Sequence, residues 1–318
     1  RQWRNFCFKL TIMVNKCQII LLFLLGIPLL YCKPPSVDET QSNEEFSIPD
    51  SILRKATIAM EEAEAKEIIQ NIASPVEMAI LVKEAGTPYS TKYLCDIDLV
   101  KNYTTNFKKA IAVGVLGTNI GYLNINHRLS LITNYITELK RISDELKIGQ
   151  FIDVAALKEL AEMDENLDSL IYASVSQINQ MDTYLRKNNR SDIAVLIVTG
   201  VWLESLYLGT QSTIENPDER VIERIGEQKI IITELLKILS HFENLPNFDE
   251  LISDLKVIEE CYQPVKITYM VGKPETKTVH GKLIIIPNEI STVHITDEQL
   301  AEIIRVVARI RNKTLSGQ

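Results

Sequence analysis

Two stretches of this chain, Phe107–Leu123 and Ile193–Leu208, are apolar on nearly every side. The first carries Ile111, Val113, Val115, Leu116, Ile120 and Leu123; the second carries Val195, Leu196, Ile197, Val198, Val201, Trp202, Leu203 and Leu206. A surface helix needs one apolar stripe, whereas a helix apolar all round must be surrounded. Thr118, Asn119, Thr199, Glu204 and Ser205 interrupt the two runs, so neither has the length and purity of a membrane span. They predict two helices at the centre of a bundle. Gly114, Gly117, Gly121 and Gly200 lie inside them. Each costs about 1 kcal/mol relative to Ala in a helix interior, and close helix approach is the expected return.

The helices needed to cover this centre are legible around it. Leu129, Ile132, Tyr135, Ile136, Leu139, Ile142 and Leu146 advance by three or four, as do Ile225, Ile232, Leu235, Leu236, Leu239 and Phe242. So do Leu251, Ile252, Leu255, Ile258 and Tyr262, and finally Leu300, Ile303, Ile304, Val307 and Ile310. Ser74-Pro75-Val76-Glu77 and Asn216-Pro217-Asp218-Glu219 have the composition of helix starts, Gly86 that of a helix stop, and Thr296 that of a cap. One region alternates instead: Val265, Ile267, Tyr269 and Val271 against Lys266, Thr268 and Met270. Gly272-Lys273-Pro274-Glu275 would turn it, and Thr278–Ile286 would return. The expected fold is all-α: a single bundle of eight to ten helices over residues 50–312, with a small β-hairpin before the C-terminal helix.

The first residues form an address. Ile19–Tyr31 is an apolar run too short for the roughly 20 residues of a spanning helix, and Met13-Val14-Asn15-Lys16 resembles a short positive n-region. Met13 is therefore the expected start, and residues 1–31 an upstream segment plus signal peptide. Cys32 follows Leu29-Leu30-Tyr31, the pattern of a relaxed lipobox with Tyr31 where a small residue is usual. An ordinary cleaved signal peptide is the alternative. With lipid on Cys32, residues 32–49 become a disordered acidic tether and 50–318 the helical domain. Loss of residues 1–31 removes Arg1, Arg4, Lys9 and Lys16 and takes the charge from −8 to −12. Such a surface repels anionic headgroups and nucleic acid alike, so the expected partners are a membrane reached through the lipid and a small ligand or envelope protein. Cys95 and Cys261 can pair in an oxidising envelope or stand as two separate buried thiols.

Catalytic chemistry is scarce. His127, His241, His280 and His294 stand at no ligand spacing, no Ser occupies a nucleophile elbow, and the Gly114–Gly121 cluster lacks the Lys-Ser/Thr of a phosphate loop. No catalytic residue, metal or cofactor is expected. Glu204 resists a bland reading, because an unpaired carboxylate in so apolar a helix is costly. Thr118, Asn119, Tyr122 and Tyr207 sit in comparable surroundings and could partner it. Three roles stay open for this group: a satisfied structural network, the charged contact of a ligand pocket, or the acid–base centre of an envelope enzyme.

The relaxed lipobox, the acidic tether, Gly114-Val115-Leu116-Gly117-Thr118-Asn119-Ile120-Gly121-Tyr122-Leu123 and the ending Ile295-Thr296-Asp297-Glu298-Gln299-Leu300 to Ile310-Arg311 together resemble a family of uncharacterised α-helical lipoproteins of Bacteroidota. An acidic residue is usual in that family where Asn119 stands here. The resemblance implies a helical fold and a lipid-anchored place in the bacterial cell envelope, and it implies no activity. The function expected is a helical binding or interaction module.

Overall fold

The computed structural model describes residues 76–155, 157, 167–279 and 282–316. All of these fall within one compact unit, Asp50–Gln318. The signal-peptide, Cys32 and tether expectations lie outside the described residues, as do Ser74 and Pro75.

Nine α-helices and one antiparallel hairpin are present among the described residues: α1 (Glu77–Glu84), α2 (Ile97–Lys101), α3 (Asn106–Ile125), α4 (Leu129–Glu145), α5 (Leu167–Lys187), α6 (Ser191–Glu215), α7 (Glu219–Ser240), α8 (Phe248–Tyr262), β1 (Lys266–Val279), β2 (Lys282–His294) and α9 (Asp297–Ser316). The fold is the all-α bundle with a β appendage that the periodicity predicts.

The hub is α6. It packs against α1, α3, α5, α7 and α9, so no face is left for solvent. By length and hydropathy α6 could cross a membrane, yet 94% of its most apolar window is buried inside this protein. Its tightest neighbour is α3. A Cβ on Gly114 would strike the Ile197 carbonyl oxygen and the Val201 nitrogen, and one on Gly200 would strike the Ile111 carbonyl oxygen. Two glycines thus let two backbones touch. Gly117 differs: a Cβ there would meet nothing within 4 Å.

The outer helices bury the stripes read from the sequence. Ile132, Tyr135, Ile136, Leu139 and Ile142 of α4, Ile225, Ile232, Leu235 and Leu239 of α7, and Leu251, Leu255, Ile258 and Tyr262 of α8 are all in the core. Two buried polar tips are satisfied between helices: the Tyr262 hydroxyl donates to the Ile225 carbonyl at 3.0 Å, and Trp202 Nε1 to Gln228 Oε1 at 3.0 Å. Gly86 ends α1 at a φ of +80°, with the Thr87 amide reaching back to the Val82 carbonyl at 3.2 Å. Thr296 and Gln299 cap α9 reciprocally, each side chain accepting from the other's amide, at 3.3 and 3.0 Å. The cap of α7 departs from expectation. Asp218 fills it, accepting from the Arg220 amide at 2.9 Å, while Asn216 donates instead to the Ala85 carbonyl at 2.9 Å.

The hairpin is longer than the sequence suggests, and its turn lies elsewhere. Gly272-Lys273-Pro274-Glu275 does not reverse the chain. It makes a register shift, with Gly272 opposite Asn288 and Glu275 opposite Ile286, so that Pro274 and Pro287 both fall in the irregular stretch. A proline cannot donate to the ladder, and a bulge is where the ladder tolerates one. Val279 and Lys282 form the last pair before the reversal. The base of the hairpin rests on α7, where Val293 fills the space a side chain at Gly226 would need and Lys229 Nζ donates to the Val265 carbonyl at 2.6 Å.

Candidate functional site

Glu204 lies in the middle of α6 with 1% of its surface exposed. Its partner was not anticipated. Arg311, on α9, donates from Nε to Glu204 Oε2 at 2.8 Å and from Nη2 to Oε1 at 2.7 Å, a two-pronged carboxylate grip. Asn119 of α3 adds a third donor, Nδ2 to Oε1, at 2.7 Å. The same carboxamide accepts from the Cys95 amide through Oδ1 at 2.7 Å, and the Cys95 carbonyl in turn accepts the Tyr135 hydroxyl at 2.7 Å. The Tyr207 ring, one turn beyond Glu204, lies 4.3 Å from the guanidinium carbon. One connected network therefore ties α9, α6, α3, the segment before α2, and α4.

Arg311 is 7% exposed. Burial alone would favour its neutral form, but the Glu204 carboxylate outweighs burial and holds the guanidinium above its ordinary value. The Cys95 thiol is pushed up to about 12, first by burial and then by the Glu204 charge. Glu204 Oε1 accepts two of these hydrogen bonds and Oε2 one. A carboxylate so held neutralises a buried cation and ties α9 to α6 and α3.

The structure brings Asn119, Glu204 and Tyr207 together and places the other two residues elsewhere. Thr118 donates to the Gly114 carbonyl of its own helix at 3.2 Å. Tyr122 accepts from the Ser90 amide at 2.9 Å and stacks on Tyr89, ring centres 5.6 Å apart, with Tyr93 tilted against it at 6.0 Å. The Arg128 guanidinium covers Tyr89 at 4.2 Å. Burial pushes the Tyr122 hydroxyl up to about 12. These aromatics pack the turn between α1 and α2 rather than Glu204. Cys95 and Cys261 are both free thiols. Among the described residues no group of His, Cys, Asp or Glu is arranged to hold a metal ion.

Open space lies on the other side of α3. A partly open pocket of about 60 Å³ lies between α3, α4, α5 and α6, with Val113, Ile120, Leu139, Met181, Ile197 and Val201 among its apolar walls. Gly117 opens onto it, which is why a Cβ there meets nothing. Three polar side chains face it: Asn124, Ser174 and Gln177. Ser174 spends its hydroxyl on the Ile171 carbonyl at 2.8 Å. Asn124 is 6% exposed. Among the described residues no charged side chain lines the space. The sequence offered one hint of this site, a helix-interior glycine, but one indistinguishable there from Gly114.

No family model matches the chain, and neither a curated protein nor a solved structure matches it.

Proposed function

We propose that this chain is a lipid-anchored binding module of the bacterial cell envelope, its helical body holding a small molecule in the cavity beside Gly117. One observation carries the reading. An apolar pocket between α3, α4, α5 and α6 opens beside Gly117, and the Asn124 side chain stands at its wall. A concave, mostly apolar site with a polar group at its wall is where a small ligand is held by preference. Glu204, the residue that invited an enzymatic reading, is engaged by Arg311 and Asn119, which supports a structural role for it. The place in the envelope is supported by the apolar run, by Cys32 behind it and by the resemblance to helical lipoproteins of Bacteroidota.

The full chain, purified from its own membranes and extracted with organic solvent, should release a small molecule in near-equimolar amount, detected by mass spectrometry. The Gly117→Leu chain, with its cavity filled, should release at least tenfold less. Equal recovery from both chains would remove the cavity from the function. A Glu204-dependent turnover in a hydrolase screen would replace a binding module with an enzyme.

A further inference from the structure

We draw no further inference here: the strongest candidate, the β1–β2 hairpin, which rests on α7 at its base and leaves Tyr269 and Met270 exposed, carries nothing because nothing in the structure shows what covers it.

Discussion

Removing one end of the Glu204–Arg311 pair leaves the other charge buried, and that decides what substitution there does. Loss of a single partner from a buried ion pair costs about 3–5 kcal/mol, whereas replacing both partners with apolar groups is often neutral. Glu204→Gln keeps the shape but strands Arg311, which is only 7% exposed, so urea denaturation should show a loss of about 3–5 kcal/mol. Without the arginine in view, the same substitution would be expected to be mild. Glu204→Leu combined with Arg311→Met should lose clearly less than either single change. If the double variant lost the sum of the two single losses, the groups would not be coupled and the network would be wrongly drawn. Cys95 offers a second test. Its thiol is raised from 9.0 to about 12, so the folded state holds this proton more tightly than the unfolded one. The stability it contributes is fully present below pH 9, and is lost as pH rises from there through about 12. At pH 7.5 maleimide should therefore label the half-buried Cys261 and leave Cys95 unmodified until the protein is denatured, as peptide mapping would record. Labelling of both at one rate would place Cys95 outside the core.

Among elements, the crossing of α3 and α6 should separate three glycines that look alike in the sequence. Gly114→Ala and Gly200→Ala each drive a methyl into the opposite backbone, and neither helix can yield without unseating the other. Each should cost more than the typical 1–3 kcal/mol of an overpacked core. Gly117→Ala meets nothing and should gain up to about 1 kcal/mol from helix propensity. Thermal melts of the three variants rank them, and a destabilised Gly117→Ala would mean the cavity wall is not where it is drawn. Burial of a helix face is written locally, as period, so the stripes of α4, α7, α8 and α9 were legible. A carboxylate in an apolar run is likewise a local anomaly, and it drew attention to Glu204. Its partner was harder because pairing is decided by the fold. Arg311 does carry a signal, standing four residues after Val307 and continuing the buried stripe of α9, where a charge needs an answer. The Gly272–Glu275 segment misled because turn composition is also bulge composition, and the cross-strand register decides between them. A void is legible nowhere in sequence. It is the difference between what four helices enclose and what their side chains fill.

Among the described residues one helix, α6, could cross a membrane by length and composition, and 94% of its most apolar window is buried in the core. In the lipid-anchored reading proposed above, attachment falls to residues ahead of the described body. Loss of residues 1–31 would leave a charge of −12, which an anionic leaflet repels, so no surface of the helical body is expected to hold it down. The Cys32 thiol stands where a lipid acceptor is needed, directly behind the apolar run. A single acyl chain binds a bilayer only marginally, and stable anchoring takes two signals, which a doubly or triply acylated cysteine supplies. Cys32→Ala should accordingly abolish fatty-acid labelling and leave either an unprocessed precursor or a chain released from washed membranes. The helical body should be unaffected, with a melting transition equal to that of the anchored chain. If Cys32→Ala still labels with fatty acid and still sediments with membranes, the anchor lies elsewhere. If it sediments without labelling at the processed size, a protein partner is the tether, and the acidic surface becomes the place to look for it.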